Sequence, residues 1–347
     1  MKDAQPMPIE ASDPRAEACA AFWNAVSARL ESLRALPARE LMEGLNQLLE
    51  PHFPRLAAEV AGDPPAFKLV LTAHGSVDDF EDLMTLVRSR PRLPQVEVEA
   101  FRQRASDGFG MRMNNFELAS SEVLVRHEPY RGRVALEIGF SKPIPMDMRD
   151  HARHMSLIML DHILGEYDFA VKVGAVDYVE PDAQADFKGV PLDDFVPLFD
   201  ACWREELGHT GVFAPGEHAW SGLSATRTSE DGGEIEMVVM RNDSATALVG
   251  RADLCHRLSV AVPVESGEEL EEARAYEDRL TARLQVHEAG CCTHVVLEEG
   301  VRTIHFQVAD PDSAITQAQS LQDDMELATT MELVFDPTWQ SYRVWLG

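Results

Sequence analysis

Between residues 257 and 335 the hydrophobic period switches in an order that few folds accommodate. "RLSVAVPV" (257–264) alternates, which puts Leu258, Val260, Val262 and Val264 on one face of a strand. Ser266 and Glu269 form an S-x-x-E capping box. The helix it opens carries Leu270, Ala273, Leu280 and Leu284 on one stripe. "CTHVVLEEGVRTIHFQV" has the pattern of a hairpin: an apolar strand, a Glu-Glu-Gly turn, then Ile304, Phe306 and Val308 facing one way. "DPDS" caps a helix through Met325, and "TMELVF" closes the run. The order β-α-β-β-α-β is that of the ferredoxin-like, or split βαβ, unit: four antiparallel strands with two helices on one face.

A similar order precedes it. "FKLVLTA" (67–73) reads as a strand, and Phe80, Leu83, Met84 and Val87 as the stripe of a helix. "QVEVEAFRQR" (95–104), "RMNNFELASSEVLVRHE" and "RVALEIGFSK" are strand-like, residues 148–164 helical, and "DFAVKVGAVDYV" a further strand. Upstream, Ser12 and Pro14 open a helix with Phe22, Val26, Leu30 and Leu33 on one face. Pro37 separates it from a second helix striped by Leu41, Leu45, Leu48 and Leu49, and "GDPP" (62–65) ends that section. The expected fold is therefore α+β: two ferredoxin-like (split βαβ) antiparallel-sheet halves with an N-terminal helical hairpin. The expected boundaries are a helical segment 1–66, a first α+β domain 67–180, a helix and connecting loop 181–230, and a C-terminal ferredoxin-like domain 231–347.

Charge narrows the partners. Thirty-one Lys and Arg against 59 Asp and Glu leave a formal net charge of -28. A chain this acidic is repelled by nucleic acid and by anionic membranes, and its surface complements a basic protein. No apolar run is long enough to span a bilayer and no signal-like stretch opens the sequence, which points to the cytoplasm. Five cysteines without C-x-x-C spacing suit a reducing compartment and make no disulfide framework.

The last ninety residues resemble the bacterial family known as domain of unknown function 695 and, more loosely, the regulator of ribonuclease activity B group. The resemblance rests on "YEDRL" (276–280), "GVRTIHFQVAD" (300–310) and the terminal Asp336, Pro337, Trp339 and Tyr342 of "DPTWQSYRVWL". His305-Phe306-Gln307 stands where relatives often read F-Y. The ribonuclease-regulator likeness implies inhibition through protein–protein contact and carries over no catalytic residue.

No phosphate-binding Gly-rich loop, G-x-S-x-G elbow or calcium loop occurs in the chain. His151 and His154, three apart at the start of a predicted helix, share a face and are candidate metal ligands, although H-E-x-x-H is absent. "GHTGVFAPGEH" puts His209, Glu217 and His218 in one loop, a location suited to binding. Cys291 and Cys292 are adjacent, so on a strand they face opposite ways and cannot readily share an ion. In "DPTWQSYRVWL", Trp339 and Tyr342 are expected to anchor the chain end. Trp345, on the other side of an alternating run, is the aromatic left for a partner. The leading expectation is a non-enzymatic, acidic protein-binding module, a regulator or inhibitor of a nuclease or other basic partner, with no cofactor. The alternative is an enzyme or small-molecule binder using a His-containing cleft between the two α+β halves. A third reading is a homo-oligomer joined through sheet edges or faces.

Overall fold

Apolar residues spaced three and four apart build the first two helices of the computed structural model, α1 (Pro14–Arg34) and α2 (Ala38–Leu49). The model describes residues 14–62, 64, 66–113, 115–180, 186–214, 216, 218–228 and 232–346, so the cap expected at Ser12 lies outside the described residues. Phe22, Val26, Leu30 and Leu33 of α1 are buried, as are Leu41, Leu45 and Leu49 of α2. The molecule is α+β with several small sheets, and its contacts separate into two units: Met1–Asp107 with Leu157–Ala170, and Gly108–Ser156 with Val171–Gly347. Among the described residues no helix is long and apolar enough to cross a membrane.

In the first unit β1 (Ala57–Ala61) pairs antiparallel with β2 (Phe67–Thr72), which runs parallel to β3 (Val96–Ala100). The parallel pair needs a crossover, and α3 (Phe80–Arg88) supplies it. Asn46 of α2 holds β1 by bonding both the N–H and the C=O of Ala58, at 2.9 and 2.8 Å. The later part of α4 (Arg149–Leu164) and most of α5 (Glu166–Lys172) complete this unit. The α5 segment was expected to be a strand. Its apolar run is too short for period alone to decide, and Gly165, at φ 82°, lets the chain break from α4 and start a new helix.

Glu166 ties this unit together. Its carboxylate is fully buried and accepts three backbone N–H bonds: from Ala73 (2.8 Å), Gly75 (3.0 Å) and Arg102 (2.9 Å). It thereby fixes the turn that leaves β2, where His74 and Gly75 have φ values of 53° and 76°, to the chain leaving β3. The Arg102 guanidinium pairs with Glu59 of β1 and with Asp161 of α4. Three charge-assisted bonds to one desolvated carboxylate make this a rigid joint.

In the second unit β4 (Gly110–Met113) and β5 (Phe116–Ala119) form a hairpin. A four-stranded sheet has the order β8-β7-β6-β9, from β6 (Val123–Tyr130), β7 (Arg133–Phe140), β8 (Val173–Tyr178) and β9 (Val190–Pro191). Residues 67–180 thus distribute their strands over three sheets, two of them with parallel pairs, where one antiparallel sheet was expected. The helix expected within 181–230 is α6 (Val196–Ala201) flanked by a short 3-10 turn and a π turn over Cys202–Glu206.

The remaining strands make a six-stranded sheet in the order β10-β11-β13-β14-β12-β15. They are β10 (Trp220–Thr228), β11 (Glu234–Asn242), β12 (His256–Pro263), β13 (Gly290–Glu298), β14 (Val301–Val308) and β15 (Thr330–Phe335). The last four are connected by α7 (Gly267–Gln285) and α8 (Pro311–Met325) in the expected order, and every pairing in this sheet is antiparallel. The Ser266–Glu269 capping box forms, with the Ser266 hydroxyl accepting the Glu269 N–H and the Glu269 carboxylate accepting the Ser266 N–H. Leu258, Val260, Val262, Ile304 and Phe306 pack against Ala273, Tyr276, Leu280 and Leu321 to form the core.

The chain end is helical where an alternating strand was expected. Asp336 is buried and accepts from the N–H groups of Gln340 (2.8 Å) and Ser341 (3.2 Å), which folds the next residues into α9 (Gln340–Arg343). Trp339 and Tyr342 are fully buried. The Trp339 indole donates to Leu254 O at 2.9 Å, and the Tyr342 hydroxyl donates to Asn242 O at 2.8 Å.

Glu166→Gln keeps the size of the side chain but turns an amide donor toward backbone donors. The substitution is expected to lower stability by about 3 kcal/mol. Equilibrium urea unfolding measures it, and an unchanged midpoint contradicts the anchoring role.

Candidate functional site

A parallel strand pair cannot be joined by a hairpin, so β7 reaches β8 through α4 and α5. The carboxyl ends of β7 and β8, at Phe140 and Tyr178, therefore lie side by side, and the chain leaving β7 enters α4. Crevices outside the carboxyl ends of parallel strands are where open α/β sheets bind ligands. In the second unit that position holds a cavity of about 600 Å³. Leu124, Phe140, Pro143, Ile144, Val179 and Phe187 form its apolar wall, and Ser141 and Tyr178 bring hydroxyls. Lys142, Arg149 and Arg153 also line it, and among the described lining residues there is no carboxylate, imidazole or thiol.

Each cation is differently engaged. Lys142 donates to Glu122 at 2.6 Å and to Glu117 O at 2.7 Å, and the Lys142 ammonium holds the Glu122 carboxyl below its ordinary range. Its charge is largely spent. Arg153 lies over the Tyr178 ring, 5.1 Å from the centroid, and its approach to Asp150 is 4.0 Å. Arg149 forms no ion pair among the described residues. Arg149 and Arg153 are four apart, so they share a face of the first turns of α4. Cations are disfavoured at a helix N-terminus, where the macrodipole is positive. Two arginines there strengthen a positive field that a bound anion would satisfy.

The Tyr178 side chain is fixed rather than free to react. Its hydroxyl donates to Arg153 O at 3.0 Å and lies 3.0 Å from Ser156 Oγ, and burial pushes its pKa up. Among the described lining residues Ser141 has no general base beside it. The chemistry this cavity offers is cation–anion pairing beside aromatic and aliphatic surface.

None of the residues singled out in the sequence lines this cavity. His151 is half-buried and His154 exposed on α4, and among the described residues no third ligand group joins them. Glu217 lies outside the described residues. His209 is buried, with Nδ1 2.7 Å from Thr246 O and Nε2 3.2 Å from Gly132 O, and burial holds its pKa down. The His218 ring nitrogens lie 2.8 and 3.0 Å from the side-chain amides of Asn242 and Gln285. Trp345 is half-buried, 6.2 Å from the His294 ring, and its indole nitrogen is enclosed without a hydrogen-bond partner. The sequence did hold a sign of the cavity: a strand, the short turn "SKPIP", then an arginine pair at a helix start, against the dipole rule.

No family model, no curated protein and no solved structure matches this chain.

The sheet face opposite α7 and α8 carries a second group of titratable side chains. His294 and His305 stack at 4.2 Å, with His305 Nδ1 2.9 Å from Ser259 Oγ and His294 Nδ1 3.0 Å from Thr293 Oγ1. Burial, then the neighbouring His305 and Arg257, hold His294 down at about 2; burial and Arg257 hold His305 at about 4. Both stay neutral in the fold at pH values where the unfolded chain, with an ordinary value of 6.5, takes up protons. Their contribution to stability is complete above pH 6.5 and is lost as the pH falls toward 4 and below. Each contributes at most about 1.4 kcal/mol per pH unit in that window. Urea unfolding from pH 7 to pH 4 should show a shallower pH slope for a His294→Asn/His305→Gln double variant than for the native chain. Equal slopes would show that neither histidine resists protonation.

Proposed function

We propose that this chain is a non-enzymatic binding protein whose second unit holds a small organic anion with an apolar or aromatic body. The observation that carries this reading is that a chain of net charge -28 gathers Arg149 and Arg153 in a cavity beside Phe140, Ile144, Tyr178 and Phe187. A carboxylate or phosphate would pair with the two guanidinium groups near the start of α4. The apolar body would lie against the aromatic wall. The cavity is of the size that small-molecule sites commonly have, roughly 300–1,000 Å³. Binding is favoured over turnover because the described lining residues pair no nucleophile with a base.

Titration calorimetry with an aryl phosphate, the matching aryl carboxylate and its neutral methyl ester tests the reading. The two anions should bind and the ester should not. Arg149→Gln and Arg153→Gln should each weaken the anions by about 10-fold or more, as loss of a charge-assisted bond implies. Equal affinity for ester and acid, or variants that bind like the native chain, would overturn it.

The excess of 59 acidic over 31 basic residues favours a second reading, in which the exterior docks on a basic protein. The likeness to the ribonuclease-regulator group supports it, as does the β13-β14-β12-β15 strand order, which has the split βαβ pattern we propose for the C-terminal domain. Capture of such a partner should weaken steeply between low and physiological salt, and salt-indifferent capture would sink this electrostatic version.

A further inference from the structure

Away from the cavity, three ligand-type side chains converge in the second unit. His127 comes from β6, and Cys202 and Glu206 from the first and last positions of the π turn that follows α6. One ligand atom from each, an imidazole nitrogen, the thiol sulfur and a carboxylate oxygen, lies within 4.8 Å of the other two. Two features of the fold produce this. The Leu207 N–H bonds Cys202 O, five residues back, and the wider turn stacks Glu206 over Cys202. The ring of His127 packs on Phe195, its centroid 5.4 Å away, on the segment that leads into α6. None of the three side chains makes a hydrogen bond or ion pair with another described residue, so their ligand atoms are not engaged by the fold's polar contacts. π turns in otherwise α-helical segments recur at functional sites.

We propose that His127, Cys202 and Glu206 form a three-ligand site for a divalent metal, zinc in particular, with a fourth position open to solvent. Nitrogen, thiolate sulfur and carboxylate oxygen together are a borderline donor set, which suits zinc better than the all-oxygen preference of magnesium or calcium. Ligand atoms around tetrahedral zinc sit roughly 3.5 Å apart, given bonds of about 2.0–2.3 Å. The ligand atoms, which lie within 4.8 Å of one another, would have to close by up to about 1.3 Å, and the exposed Glu206 is the member free to move. Cys202 is fully buried, so the closed part of the site faces the interior, and the open position lies on the Glu206 side. Three protein ligands with one open position is the arrangement of zinc that binds water or an exchangeable ligand, as opposed to a closed structural site.

Cobalt(II) is the probe, added to the full-length chain after dialysis against a chelator. A thiolate-to-cobalt charge-transfer band should grow to one equivalent and be bleached by one equivalent of zinc. Cys202→Ser should abolish the band. His127→Gln and Glu206→Gln should weaken cobalt by well over the roughly 10-fold that disturbing a ligand's supporting partner costs. Glu206 is exposed, so Glu206→Gln tests the site without disturbing the core even if Cys202→Ser fails to fold. A folded native chain that gives no charge-transfer band would overturn the proposal. So would a band that survives in Cys202→Ser, or cobalt affinity unchanged in Glu206→Gln.

Discussion

The parallel pairing of β7 with β8 is the constraint on which the cavity depends. Two adjacent strands that run the same way demand a crossover, and a helix is the compact way to make one. The helix must begin where β7 ends, so the amino end of α4 and the carboxyl ends of both strands meet at one place. Backbone topology alone thus produces a crevice with a positive dipole at its edge. Side chains then decide what enters: Arg149 and Arg153 add charge, while Phe140, Tyr178 and Phe187 exclude water from the other wall.

Electrostatics gives this arrangement its selectivity. A strongly acidic exterior repels anions at long range, so an anionic ligand gains only where cations are concentrated and partly shielded. Carboxylates neutralise most cations elsewhere. Arg102 is held by Glu59 and Asp161, Arg302 by Glu277, and Arg251 by Asp253 and Glu288. Arg149, like Arg133 and Arg343, forms no ion pair among the described residues. Buried polar groups elsewhere serve the fold: Glu166 binds three backbone amides, and His209 is enclosed between two carbonyls. Of the histidines singled out in the sequence, His209 is of this second kind.

The four strands β12 to β15 were legible because the hydrophobic period switches between strand and helix there and the helices carry explicit caps at Ser266 and Asp310, whereas β10 and β11 of the same sheet were not anticipated. The rest failed where the local signal was weak. The Ala- and Glu-rich β1 lacks β-branched residues apart from Val60, so its extended state is set by Asn46 and β2. Exposed positions dominate β10, and the apolar alternation that marks a half-buried strand is faint there. The tail "SYRVWL" alternates like a strand, but the Asp336 carboxylate bends it into α9, a long-range choice that period does not encode. The cavity was missed for a different reason. Its lining comes from β6, β7, the loop that follows β7, α4, the end of β8 with Val179, and Phe187, and only the fold brings these together. The His127–Cys202–Glu206 cluster was equally illegible, since 75 residues separate its first two members.

The most direct test of the central claim is a crystal structure of the full chain grown with a saturating aryl phosphate. The ligand is predicted to lie with its phosphate between Arg149 and Arg153 and its ring against Tyr178 and the apolar wall. An empty cavity at saturating ligand, or a phosphate held elsewhere on the chain, would contradict it.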